Sequence, residues 1–197
     1  MTHRIASHRQ RSRWPYERWF KGEVMIALNV RFSRISLAVT GALCSAVVWA
    51  QVPEIPNYSL QDIAMASWYS GALPQFGIPM YNGPVIIYNP NVTAQVGPVL
   101  TAFFYAHEYC HIDLNHIQKT YFLSNPYNKS WLSQTLELQA DACATQRLIS
   151  QGNILSVRAA AQWFYGQGPV QMVPSHPPGQ VRASNIVNVA SSLGVTF

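Results

Sequence analysis

The residues able to do chemistry gather in two short stretches. In the first, His107-Glu108-Tyr109-Cys110-His111, two imidazoles stand four positions apart. On a helix that spacing turns both side chains almost the same way, so they converge on one ion. Glu108, beside the first histidine, is placed to take a proton from a water activated by that ion. The preceding residues (Val99, Leu100, Ala102, Phe103, Phe104, Ala106) are apolar on nearly every side, which predicts a buried helix. Two histidines and a glutamate buried there need a partner, and a zinc ion supplies one.

A catalytic zinc normally takes three protein ligands and a water. Residues 51–197 offer only four histidines and six acids from which to find the third ligand. His116 lies nine positions after His107, so a straight helix would carry it about 180° away, behind the site or at the surface. Glu137 is the better candidate. In Glu137-Leu138-Gln139-Ala140-Asp141 the two acids share a helix face, and Leu136, Ala142 and Ala144 mark that helix as mainly buried. Glu137 is expected to complete the ligand set. Asp141, one turn on, is expected to accept the outer N–H of a ligating histidine and fix its tautomer.

With these motifs in view, the chain resembles the gluzincin metallopeptidases, and most of all the HtpX and CaaX-processing group. His-Glu-x-x-His, then Glu-x-x-Ala-Asp, then Ser175-His176-Pro177 with Arg182 follow one another in that group's order. The resemblance runs from about Val85 to Ile186. It implies a zincin-like fold, with an active-site helix, a glutamate helix and a small sheet whose edge lies over the cleft. It implies peptide-bond hydrolysis with one zinc ion, and it assigns His176 to catalysis as an oxyanion donor. Arg182 is then expected to position His176 or to pair with a carboxylate. The membrane-spanning helices of the better-known relatives are not matched, so the resemblance is to a minimal, soluble form.

The elements that must position these residues can be read more coarsely. Ser59 followed by Asp62 predicts a capped helix to about Ser70, ended by Gly71 and Pro74. Ile78–Tyr81 and Val85–Tyr88, separated by Asn82-Gly83, predict a hairpin before the active-site helix. Val85–Tyr88 is then either an edge strand able to pair with an extended substrate or an ordinary buried strand. Asn89-Pro90-Asn91 reads as a turn. Pro98 suits the first turn of a helix expected over 99–118. Further helices are expected over 130–150, 154–165 and 180–193, with loops at 124–128 and around Ser175-His176-Pro177-Pro178. The fold class is α+β, mainly helical with a small antiparallel sheet.

The chain's net charge of +5 does not point to nucleic acid. Residues 1–50 hold eight of the thirteen Lys and Arg and two of the eight acids, so residues 51–197 carry five bases against six acids. Arg31 and Arg34, the apolar run Ile35–Ala50 and the small residue at its end form the pattern of a secretory signal peptide, with Met25 as a candidate start and an uncleaved anchor as the other reading. Two regions follow: an N-terminal extension and signal peptide over 1–50, and a metallopeptidase domain over 51–197. The expected location is periplasmic or secreted. In such a compartment Cys110 and Cys143, one on each ligand helix, are either a disulfide or two buried thiols. The expected partner is a peptide or protein substrate, and the charge-poor domain hints at peripheral association with a membrane or partner protein. A non-catalytic zinc-binding assembly factor is the alternative, although it would have no need of Glu108.

Overall fold

The computed structural model describes residues 52–170 and 173–197; the expected signal peptide lies outside the described residues. Three strands come first: β1 (Glu54–Pro56), β2 (Ala64–Leu73) and β3 (Ile78–Tyr88). Five helices follow: α1 (Pro90–Asp113), α2 (His116–Leu123), α3 (Lys129–Ser150), α4 (Ile154–Gly166) and α5 (Gly179–Ser192). The mixed, mainly helical composition fits the expected α+β class. The sheet, however, is not purely antiparallel. Its order is β1-β3-β2, with β2 antiparallel to β3 and β1 parallel to it.

Two sequence expectations for this region fail together. Residues 64–73 form a strand rather than a helix, because Trp68 and Tyr69 suit a pleated ribbon and Ser59 does not cap anything. Instead, its amide and hydroxyl both donate to Asn57 Oδ1 in a local turn. Asn82-Gly83 is not a turn either. Strand β3 runs straight through it, with Asn82 opposite Ser70 and Gly83 opposite Tyr69. Asn82 is held there by a cross-strand bond, its Oδ1 accepting from Trp68 Nε1 at 2.8 Å.

Pro84 is tolerated within β3 for a geometric reason. Ile86 N–H donates to Pro53 O, on the β1 side, and the nitrogen two residues earlier faces the same way. Strand β1 begins opposite Ile86, so the N–H that Pro84 lacks falls beyond the ladder. The true hairpin connection is the short 3-10 turn Pro74–Phe76, closed by Gly77 at φ 68°. Val85 and Ile86 are fully buried and β3 is the interior strand, so of the two readings of Val85–Tyr88 the ordinary buried strand is the one found.

Helix α1 starts earlier than expected and is jointed. Asn89 caps it, accepting from the amides of Asn91 and Val92 while its own amide donates to Tyr58 O and Leu60 O. Gly97, at φ 79° and ψ 166°, breaks the helix, and Pro98 opens the longer stretch that carries the motif. The helix expected to reach residue 118 stops at Asp113. Asn115 takes a left-handed conformation (φ 57°), and α2 leaves in a new direction from His116.

The core lies among α1, α3, α4 and α5. Phe103 meets Phe164 edge to face at 6.4 Å, and Phe104 meets Trp163 at 5.2 Å. Small residues let the helices approach: Ala140, Ala144, Ala160 and Ala190 are all fully buried. At Gly179, the first residue of α5, an added Cβ would lie 2.3 Å from Phe164 O and 2.7 Å from Gln167 Cβ. The two cysteines are bonded, Cys110 to Cys143, so a covalent link joins α1 to α3.

Candidate metal centre

Helices α1 and α3 bring His107, His111 and Glu137 together. Their ligand atoms all lie within 4.8 Å of one another. His107 Nε2 is 3.0 Å from His111 Nε2 and 3.3 Å from Glu137 Oε2, and His111 Nε2 is 3.4 Å from Glu137 Oε1. Ligands at about 2.0–2.1 Å from a tetrahedral ion stand about 3.3 Å from each other, close to the distance from each histidine nitrogen to one of the two Glu137 oxygens. The described residues therefore form a His-His-Glu cluster able to hold a metal ion.

Behind the ligands, each imidazole has its outer nitrogen fixed. His107 Nδ1 lies 2.9 Å from Oδ1 of Asp141, which is fully buried. Arg182 grips the same carboxylate through two bonds, Nε to Oδ2 at 2.8 Å and Nη2 to Oδ1 at 2.7 Å. With Nδ1 donating to Asp141, His107 turns a bare Nε2 toward the cluster. Arg182 also lies 3.4 Å from Glu137 Oε2, and its guanidinium sits 4.0 Å over the Phe164 ring. Helix α5, packed closely on α4, thus delivers the cation that buried Asp141 and partly buried Glu137 need.

His111 is held differently. Its Nδ1 is 3.1 Å from Nδ1 of His116, whose Nε2 is 3.2 Å from Gln139 Oε1. One proton arrangement satisfies the whole chain: His111 donates to His116, and His116 donates to Gln139. It leaves His111 Nε2 bare. Burial, helped by nearby His111 and Lys119, pulls the His116 pKa down to about 4, which keeps it a neutral acceptor. His116 is therefore buried behind His111 rather than turned away from the site, because the break at Asn115 carries it back. Neither Asn115 nor Gln139 gave any sequence signal of this role.

The charges in the cluster ask for a cation. Glu108, Glu137 and Asp141 are nearly or wholly surrounded by protein, and Arg182 supplies a single compensating charge. Two negative charges remain when the imidazoles are neutral. Burial opposes a charge on His107, but its hydrogen bonds to Asp141 and Glu137 raise its pKa to about 10. Burial likewise pushes Glu137 up, yet the bonds from His107 and His111, with Arg182 close by, hold it far below the usual carboxylate range. A divalent cation would meet the same demand. The residues present fit one.

Glu108 faces the other side. Its Oε2 accepts from Ala66 N–H at 2.6 Å, so the outer edge of β2 borders the site. Burial raises its pKa, against the opposing charges of His107 and His111. A helix over 59–70 would not make this contact; the Trp68-Tyr69 pair is the sequence signal of a strand. His176 stands at the rim, 40% exposed, with Nε2 3.6 Å from Glu137 Oε2 and Nδ1 3.0 Å from Ser175 Oγ. Arg182 is bonded to Asp141 and makes no bond to His176 among the described residues.

Among the described residues no helix is long and apolar enough to cross a membrane. Comparison with protein-family models, with curated proteins and with solved structures finds no match, so the arrangement of the residues alone carries the functional reading.

Proposed function

We propose that the chain is a zinc metallopeptidase that hydrolyses peptide bonds of exported proteins, with His107, His111 and Glu137 as ligands and Glu108 as general base. The observation that carries this reading is one arrangement: three ligand atoms within 4.8 Å of one another, with a carboxylate beside them that belongs to neither the ligands nor their supports. A purely structural metal site would leave Glu108 only its bond from Ala66 N–H.

Zinc, when bound, supplies Lewis acidity that polarises a carbonyl and makes a nearby water more acidic. Glu108 takes a proton from the attacking water as a new C–O bond forms at the scissile carbonyl. As the C–N bond breaks, the same carboxyl passes that proton to the departing amine. The raised pKa of Glu108 suits both transfers. His176 at the rim is the candidate donor to the oxygen that gains charge. An extended substrate would add alongside the free edge of β2, where backbone bonds give affinity with little sequence preference.

The test is cleavage of a peptide library by the zinc-loaded protein and by Glu108→Gln, with zinc content measured in both. The expected result is equal zinc content and a loss of about 10²–10⁴ in rate. Zinc binding without cleavage by either protein would favour a non-catalytic binding role. Absence of zinc from both would sink the proposal.

A further inference from the structure

The corner where α2 meets α3 exposes large apolar side chains that the metal centre does not use. Tyr121 is 80% exposed, Phe122 75%, Leu123 58%, Tyr127 99% and Trp131 68%. Tyr121 and Phe122 rest on each other, ring centroids 5.0 Å apart. The corner is nonetheless a built structure. Asn125 Oδ1 accepts from the amides of Tyr127 and Asn128, while Asn128 Oδ1 accepts from Asn125 N–H and its Nδ2 donates to Leu123 O. The aromatic rings are thus presented on a braced turn.

Charge narrows what this corner meets. Residues 114–136 include Lys119 and Lys129 and no aspartate or glutamate. Elsewhere in the described chain, Arg147 pairs with Asp113, Arg182 with Asp141, and Arg158 lies over Phe197. The two remaining bases both flank the exposed rings. Tyrosine, tryptophan and phenylalanine bordered by lysine is the composition of the membrane–water boundary, where rings sit at headgroup depth and ammonium groups meet lipid phosphate. A projecting tip also needs no matching pocket in a bilayer, as it would in a protein partner.

We propose that the α2–α3 corner docks the protein on an anionic membrane surface. Helix α2 begins at His116, which touches His111, and its eight residues span about 12 Å. Docking would hold the metal centre close to the bilayer, within reach of chains leaving it. The contact itself requires no metal, so it stands or falls apart from the peptidase reading.

The experiment uses the full chain with Cys44→Ser and Tyr127→Cys, labelled at position 127 with an environment-sensitive fluorophore. Vesicles of phosphatidylcholine with phosphatidylglycerol carry a lipid-attached quencher. The expected result is a blue-shifted emission that the lipid quenches. Lys119→Glu with Lys129→Glu should weaken vesicle partition by at least about 25-fold, roughly fivefold for each lost lysine. Phe122→Ser with Leu123→Ser should abolish the quenching while circular dichroism stays unchanged. A label that remains in water on vesicle-bound protein would overturn the proposal, since another part of the chain would then be the tether. So would a label already shielded without vesicles, which would mean that a second copy or another segment covers the corner.

Discussion

Asp141→Asn is the substitution that asks most of the site, because the change is isosteric and every consequence is electrostatic. Asp141 is fully buried and accepts three bonds, two from Arg182 and one from His107. An asparagine there has one acceptor oxygen. Placed at the Oδ1 position, it leaves its NH₂ against Arg182 Nε–H, donor to donor. Turned over, it points the NH₂ at His107 Nδ1 and favours the tautomer whose proton sits on Nε2, the nitrogen that must be bare. Removing one partner of a buried pair costs about 3–5 kcal/mol. Glu137, 3.4 Å from Arg182, retains part of the attraction, so about 3 kcal/mol is expected. For a domain of this size that lowers Tm by about 6–12 °C. Zinc affinity should fall about 10–100-fold as His107 loses its orientation. Thermal melts and a zinc titration against a competing chelator measure both effects. A Tm within about 2 °C of the wild type, with zinc affinity changed less than about threefold, would refute the idea that Arg182 and Asp141 set the histidine.

Other outcomes follow from the same contacts. Ala66→Pro removes the amide that holds Glu108 without touching the bonds between β2 and β3; turnover should fall about 10–100-fold with zinc content unchanged, measured by peptide cleavage and metal analysis. Cys110→Ala with Cys143→Ala opens a loop whose ends lie 33 residues apart, worth up to about 3.7 kcal/mol, and urea denaturation should show a loss approaching that figure. In chelator-treated protein, the depressed Asp141 and Glu137 add stability that is present above their unfolded pKa values and is lost as pH falls below about 4. The raised His107 adds stability that is full below about pH 6.5 and is lost as pH climbs toward about 10; between about 4 and 6.5 the lowered His116 and the raised Glu108 act in opposite directions, so melts across pH should fall away below about 4 and above about 6.5.

The helical half of the molecule was readable from residues 99–193 because its signals are local. Histidines four apart, acids four apart, and glycine or proline at the ends specify helices within a few turns of chain. The sheet was not readable in that way. Ser59 and Asp62 have capping spacing, yet β2 forms because its backbone pairs with β3 along a ladder that runs from Leu73–Ile78 at the turn out to Ala64–Tyr88, and the far end of that ladder lies outside any short window. Asn82-Gly83 has hairpin chemistry, but the bond from Trp68 holds Asn82 in a strand, and the chain turns at 74–77 instead. His116 shows the same limit from the other side. Its nine-residue offset from His107 gives the wrong direction only if the helix continues, and an asparagine in the left-handed region ends it. The ligand set and its Asp141 support were visible as spacing; the His116–Gln139 brace and the Ala66 contact depend on where the chain bends.

Gly179 gives the centre a point of failure outside its own chemistry. The absence of a Cβ, not an unusual backbone angle, lets α5 start against the last turn of α4, and three residues later that helix delivers Arg182 to Asp141. A single methyl group at this position would collide with a backbone oxygen that cannot swing aside. The whole helix would have to retreat, carrying its guanidinium with it. A random-mutagenesis screen for lost activity should therefore return alanine and serine at 179 beside the expected ligand mutants, in a protein whose motif residues are all intact.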